Sequence, residues 1–528
     1  MMSPAVESSE PARATRPVAV VDIGTTSIRM AVAEIDEVGG VRKLESLSQA
    51  VRLGKDTFTA GTISKSTVEE CVRVLKSYRR VLAEYQIVHP RQIRVVATSA
   101  VREARNRLAF IDRIYIATGL QVEPIDEAEV NRVTYLGVQP LLQAEPGLEV
   151  ARTMVVEVGG GSTEVLVVRN GNVAYANTHR LGSLRLREIL EAYQTPTAKI
   201  RTIMESQIDR TVKQISENVP DSGRVEILAL GGDVRFAASR LIPDWNPSFL
   251  SRLDVASLEK FTDGILGMSE DAIVRKYHLS FPEAETLGPA LLTYLQLAKA
   301  YGLDSLLVAD VNLRDGMLKE MAVNASWTEE FSKQIIRSAL DLGRRYHFNE
   351  PHARHVADLS RQLFGELKDE HQLEQRHEII LYVAALLHEI GLYVSHQSHH
   401  KHSLYLIKNS ELFGLSRKDV LLAALVARYY RRASPQQSHE GYATLEREER
   451  VSVAKMAALL RVAVALDDSR SQRIKNFQCS QEKGKLVITI TQVEDLSLEQ
   501  LALQQNGALF EETFGLPVLL RTRRETFA

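Results

Sequence analysis

At 528 residues, 45% hydrophobic and 25% charged, the chain has an ordinary globular composition and the length for roughly three or four domains. Its 65 basic residues nearly balance 67 acidic ones, so net charge points to neither a nucleic-acid nor a membrane partner, and any polyanion site has to be a local basic patch. The cysteines Cys71 and Cys479 are too few for a disulfide framework or a zinc site and suit a reducing cytoplasm; no apolar run approaches the ~20 residues of a membrane helix.

In chain order, residues 1–16 are polar, with Pro4, Pro11 and a Ser-Ser-Glu cluster, and lack the apolar core of a signal peptide; they read as a disordered tail. Val18–Val21 then runs as a strand into Asp22, a Gly24-Thr25-Thr26 turn and a second strand, with Val41–Val51 as a third. A helix is expected from Ser66 to about Glu84, a strand over Ile93–Thr98, and a strand-to-helix junction at Ser99–Asn106. There Arg102 can meet an anion at the helix start or, equally, lie solvated beside a plain N-cap. Val122–Ile125 is a strand and Glu127–Val138 a helix.

The stretch Met154–Val168 organises the chain. Apolar runs enter and leave Glu157-Val158-Gly159-Gly160-Gly161-Ser162-Thr163-Glu164, a hairpin whose side-chain-free tip can close backbone N–H groups around an anion. Ser162 and Thr163 add hydroxyls, and Glu157 and Glu164 are oxygen ligands suited to a hard cation such as Mg²⁺. The alternative is a hairpin in which glycine only relieves a tight turn; the earlier Asp22–Thr26 copy, one domain length away, favours the phosphate reading.

Val173–Asn177 is a third strand, repeating the first half, and Ala198–Asn218 a long helix. Glu226–Leu230 runs into Gly231-Gly232-Asp233, and Ser305–Asp310 and Leu313–Met321 end this half as strand and helix. Strand and helix alternate up to this point, the mark of a duplicated α/β region. From Ser326 to about Arg470 the periodicity is helical, over Phe331–Arg345, His352–Leu367, Arg376–Glu389 and Val420–Tyr430. Strands return at Asn476–Cys479, Lys485–Thr491 and Pro517–Thr522 around a helix at Leu496–Phe510.

Taken together, Val21-Asp22-Ile23-Gly24, Ala97–Ala104, Glu157–Glu164, Leu230-Gly231-Gly232 and Leu313-Arg314-Asp315-Gly316 resemble the exopolyphosphatase/guanosine pentaphosphate phosphohydrolase (Ppx/GppA) family, from Val18 to about Arg470. The helical part resembles that family's HD-like domain through His352–Ala357, Ala384–Gly391 and His399–Ser403. The resemblance implies a duplicated actin-like ATPase (ribonuclease H-like) α/β fold in halves 17–139 and 140–325, an all-α HD-like domain over 326–470 and a small α+β cap over 471–528. It also implies Mg²⁺-assisted (or Mn²⁺-assisted) hydrolysis of the terminal phosphoanhydride of inorganic polyphosphate or pppGpp, in a homodimer; charge balance, cysteine usage and hydropathy add the expectation of a cytoplasmic protein with no nucleic-acid or membrane partner.

Under that reading Gly24, Gly159, Gly160, Gly161, Gly231 and Gly232, with Thr25, Thr26, Ser162 and Thr163, bind phosphate. Arg102 faces the phosphoryl oxygens, and Asp22, Glu157 and Glu164 hold the metal. His399, His400, Lys401, His402, Arg428 and Arg431, with Arg432 beside them, line a polyanion path, or the arginines merely end a solvated helix.

The sequence also departs from the family's pattern. The catalytic glutamate of Ser-Gly-Glu-Glu-Glu-Ala-Arg falls on Val130 within Asp126–Arg132, and valine cannot accept a proton. Glu129 is adjacent but turned about 100° around the helix; Glu127, about one turn back, is the better replacement base. Glu157 stands where aspartate is usual, Thr26 replaces an asparagine, and Asp233 brings an acid to the third glycine turn. His388-Glu389 replaces His-Asp and Val464 supplies no acid, which favours a channel or structural role for the helical domain over a metal site. The leading expectation is a phosphoanhydride hydrolase attenuated at Val130. The alternatives are a catalytically weak polyphosphate/(p)ppGpp sensor and, more distantly, a kinase of the same superfamily.

Overall fold

A computed structural model describes residues 15–522, apart from 146, 149–150, 193–196, 220–224, 324–328, 432, 492 and 494. Most of the expected N-terminal tail, the boundary at Ser326 and Arg432 lie outside the described residues. The chain forms two compact units, 1–326 and 327–528.

The first unit carries two sheets. One has the order β3-β2-β1-β4-β5, built from β1 (Thr15–Ile23), β2 (Ser27–Asp36), β3 (Val41–Ala50), β4 (Ile93–Ala97) and β5 (Val122–Pro124). The other, β10-β11-β9-β6-β7-β8, contains β6 (Arg152–Val158), β7 (Thr163–Arg169), β8 (Asn172–His179), β9 (Val225–Leu230), β10 (Ser251–Asp254) and β11 (Ser305–Val308). β3-β2-β1-β4 and β8-β7-β6-β9 follow one plan, in which the central strand is antiparallel to the next and parallel to the one after a crossover. This is an α/β fold with two mixed sheets.

Alternation along β1 explains why it reads as one continuous apolar run. Ala19, Val21 and Ile23 pack with Leu75, Tyr78 and Phe110 on one face; Val18 and Val20 pack with Val130, Val133, Leu313 and Met317 on the other. A strand buried on both faces shows no polar alternation. Asp22 shares the face of Val18 and Val20, beside the helices Glu127–Ala144 and Leu313–Val323. β3, at the edge, is studded with Lys, Arg, Glu and Ser, as exposed edges are. The long helix Phe281–Ala300 has no counterpart in the sequence reading: it is apolar on nearly every side and so shows no amphipathic stripe.

In the second unit, helices Glu329–Arg345, Glu350–Glu366, Arg376–Leu387, His399–Lys408, Arg417–Arg428 and Arg447–Leu466 assemble with a sheet of order β12-β13-β14 (Gln478–Glu482, Lys485–Ile490, Val518–Thr522). Gln362 Nε2 donates to the Phe477 carbonyl (2.7 Å), tying helix to sheet. Among the described residues no helix is long and apolar enough to cross a membrane.

Candidate active site

The two glycine hairpins meet at a cleft of about 260 Å³. In the first, Asp22 stands opposite Arg29, and the Gly24 N–H closes the turn on the Ser27 carbonyl (3.0 Å). In the second, Glu157 stands opposite Glu164, and the Gly159 N–H closes on the Ser162 carbonyl (2.9 Å). The tips approach so closely that a side chain on Gly160 would meet Thr25 Cβ at 3.1 Å, and one on Gly161 would meet Phe58 Cζ at 2.8 Å and the Ser99 hydroxyl.

The carbonyls of the second tip are taken up from below. Ser183 N donates to Gly159 O (2.9 Å), Arg185 N to Gly160 O (3.0 Å) and Arg185 Nε to Gly161 O (2.8 Å). The N–H groups of Gly160 and Gly161 are left without a partner among the described residues. Amides so oriented favour an anion.

Three carboxylates converge on the cleft floor. Asp22 Oδ2 lies 3.5 Å from Arg314 Nη1, while its Oδ1 is buried without a partner. Glu164 accepts from Ser162 Oγ at 2.6 Å; burial first, then the charge of Glu157 opposite, pushes its carboxyl up to about 7. Burial also raises Glu157, with Asp22 adding to it and Arg235, Arg29 and Arg314 opposing. Asp233, at the third glycine turn, is pushed up to about 6 by burial. A crowded all-oxygen set with an unpartnered buried oxygen suits a hard divalent cation.

Arg102 lines the cleft, donating through Nη1 to the Ile125 carbonyl (2.8 Å) and standing 3.6 Å from Glu127 Oε1. Thr25, Thr26, Gly160, Gly161, Ser162, Gly231, Gly232, Glu127 and Val130 line it too.

Five expected assignments are corrected. The N–H groups of Gly24 and Gly159 are consumed by their own turns, so they are not phosphate donors. Thr163 is fully buried with its hydroxyl on the Leu181 carbonyl: one residue from Glu164 on a strand, it faces the opposite side, into the core. Glu129 is turned out of the cleft into a cluster with Arg94 (2.7 Å) and Arg132 (3.5 Å), one helical step from Val130. His399 is buried on its helix's core face with Ser403 and Ile407, its ring nitrogens bound to the His396 carbonyl (3.0 Å) and the Tyr430 hydroxyl, so it is not on a surface path. His400, Lys401, Arg428 and Arg431 do lie together, since after burial His399, Arg431, Lys401 and Arg428 all depress the His400 ring. His402, two residues past His400, is half-buried.

The sequence reading missed Arg29 and Arg314 as charged partners of the site, and Phe236, Glu283 and Thr286, which line its far end. Arg29 could have been found by counting across the hairpin from Asp22; Arg314 lies 292 residues from Asp22, and only the fold joins them. Burial pushes both thiols up to about 12, which leaves Cys71 and Cys479 unreactive.

The chain matches the model of the Ppx/GppA phosphatase family over residues 14–325 and that of Ppx/GppA phosphatase domain III over 336–511. It is 23% identical over 504 residues to the guanosine-5'-triphosphate,3'-diphosphate pyrophosphatase of Vibrio parahaemolyticus serotype O3:K6, covering 92% of this chain and 95% of that protein. The protein of the same name from Photobacterium profundum is 22% identical, covering 95% and 97%. An exopolyphosphatase structure from Cytophaga hutchinsonii shares the fold, with a TM-score of 0.53 at 19% identity over 59% of this chain and 99% of that one. With the first family model spanning more than half of its length, the chain belongs to the Ppx/GppA phosphatase family.

Proposed function

We propose that the cleft hydrolyses the terminal phosphoanhydride bond of pppGpp or inorganic polyphosphate, with Mg²⁺ or Mn²⁺ held by Glu157, Glu164 and Asp22. The observation that carries this reading is the Glu157–Glu164 pair, set directly opposite across a hairpin whose tip presents the Gly160 and Gly161 amides. The names of the relatives support the substrate class.

Phosphoryl transfer asks the protein for positioning and charge neutralisation more than for covalent chemistry. The Gly160 and Gly161 amides and the Thr25 and Thr26 hydroxyls orient the terminal phosphate, Ser162 donates its hydroxyl to Glu164 beside it, and Arg102 takes charge on the equatorial oxygens. A bound divalent cation neutralises the phosphate and the carboxylates that face it. Glu127 is the carboxylate on the cleft wall able to orient the attacking water and receive its proton, with the Arg102 guanidinium 3.6 Å from its Oε1. His400, Lys401, His402, Arg428 and Arg431 act as a diffuse charge patch for long polyanions.

One observation favours a second reading. Val130 lines the cleft where the family's pattern calls for the base, so a protein that binds these ligands and turns them over poorly is the alternative. Phosphate release from pppGpp and polyphosphate, measured beside equilibrium binding of both, separates the two. We expect Mg²⁺-dependent release that excess EDTA stops; tight binding without release would establish the sensor and sink the hydrolase.

A further inference from the structure

The second and third glycine turns are joined by a side chain to which the chemistry above gives no part. Tyr294 comes from the helix Phe281–Ala300 and is 1% exposed. Its hydroxyl accepts from the Val158 N–H (2.8 Å) and donates to the Leu230 carbonyl. Val158 lies between Glu157 and Gly159, and Leu230 immediately precedes Gly231-Gly232.

The position of that hydroxyl is unusual for a sheet. β6 and β9 run parallel, and their last paired residues are Glu157 and Leu230. The Gly159 N–H is turned toward β7, so alternation turns the Val158 N–H toward β9, where a regular ladder would set it on the Leu230 carbonyl. Here one phenol oxygen serves both groups, and both lie in buried residues. Gly231 closes the same point from above: at φ +107° a Cβ on it would stand 3.1 Å from the Tyr294 hydroxyl and 4.0 Å from Glu157 Cγ. The hydroxyl, the third turn and the Glu157 side chain are thus packed together. Burial, with the charges of Glu157 and Asp233 adding to it against the Val158 N–H and Arg235, holds the Tyr294 hydroxyl well above its ordinary value, so it stays a donor.

We propose that Tyr294 is a positioning residue for the divalent cation: its hydroxyl keys the second glycine turn to the third and so fixes the Glu157 carboxylate opposite Glu164. The inference rests on the role proposed above for those two acids. Carboxylates held in place before the ion arrives bind it more tightly than ones that must be ordered by it, and groups behind the ligands set that order. The same helix ends on a natural control. Tyr301 is also buried and donates its hydroxyl to a main-chain carbonyl, that of Val219 (2.9 Å), which belongs to neither turn. Removing either hydroxyl orphans a buried main-chain group and costs stability. Only the Tyr294 hydroxyl touches the residues that flank Glu157 and Gly231.

The test titrates the full-length chain with Mn²⁺ alone, without substrate, and reads free Mn²⁺ by electron paramagnetic resonance. Glu164→Gln removes a proposed ligand, so the binding it weakens defines the cleft's share. That share should be about tenfold weaker in Tyr294→Phe and unchanged in Tyr301→Phe, although both variants should melt below the wild type. Equal Mn²⁺ affinity in Tyr294→Phe and Tyr301→Phe, with Glu164→Gln weakened, would overturn the role of Tyr294 and leave the metal reading standing. Binding that Glu164→Gln does not weaken would overturn both. If Tyr294→Phe does not fold, Gly231→Ala decides, because its Cβ presses on the same hydroxyl while every hydrogen-bonding group stays in place. Wild-type Mn²⁺ affinity in folded Gly231→Ala would then overturn the proposal.

Discussion

Asp22 faces Arg29 across the first glycine hairpin; Glu157 faces Glu164 across the second. The backbones are alike down to the glycine N–H that closes each turn, and the strands on either side follow the same order. The charges are not alike. The first hairpin carries its own cation in register, and Arg314 stands 3.5 Å from Asp22. The second sets two carboxylates opposite one another; burial raises both, with the charge of Glu157 adding to the rise of Glu164 and that of Asp22 to the rise of Glu157. One half of a duplicated scaffold thus sets an acid against a cation in register, while the other sets two acids face to face.

That contrast can be broken in several ways. The largest effect is on stability. With its carboxyl at about 7, well above its ordinary value of 4.5, Glu164 in the folded chain keeps a proton that the unfolded chain has lost between those limits. Metal-free protein should therefore lose stability as pH rises through this window, by on the order of 3 kcal/mol, and lose no more from this group above it. Melting in EDTA from pH 4.5 to 8 should show the decline in the wild type and a flatter profile in Glu164→Gln; parallel profiles would remove Glu164 as its source.

Adding an acid to the first half sharpens the contrast from the other side. Val130 packs with Val18, Val20 and Leu313 yet reaches the cleft. Val130→Glu should raise phosphate release roughly 10²-fold, about 2.7 kcal/mol of barrier, with substrate Kd nearly unchanged. A silent Val130→Glu, together with a silent Glu127→Gln, would mean that the water is oriented elsewhere.

A smaller effect separates the tips. A Cβ on Gly161 would collide with Phe58 Cζ at 2.8 Å and with the Ser99 hydroxyl, whereas one on Gly24 would meet only the Ser27 carbonyl at 3.1 Å. Gly161→Ala should cost about 2 kcal/mol and Gly24→Ala less, read by chemical denaturation. Equal costs would mean that the second tip is not wedged against the first half.

The sequence made the hairpins and their acids legible because a glycine turn between two apolar runs leaves few alternatives, and Glu157 and Glu164 flank that turn symmetrically. Thr163 and His399 were misread although the needed periods were present: two along the strand for Thr163 beside Glu164, and four along the helix for His399 with Ser403 and Ile407. Gly24 was misread because its glycine is visible but the hydrogen bond its N–H makes is not. The Asp22–Arg314 and His352–Asp467 pairs span 292 and 115 residues, and no local pattern signals either. The helix Phe281–Ala300, which brings Glu283 and Thr286 to the cleft, escaped because burial on most sides erased its stripe.

The most direct test of the account compares the Mg²⁺ requirement of phosphate release in Glu164→Gln and Asp22→Asn. Because Arg314 already compensates Asp22 and nothing in register compensates Glu157, Glu164→Gln should raise the Mg²⁺ concentration for half-activation by on the order of tenfold or more, and by more than Asp22→Asn does. A larger shift in Asp22→Asn, or wild-type release undiminished in excess EDTA, would contradict it.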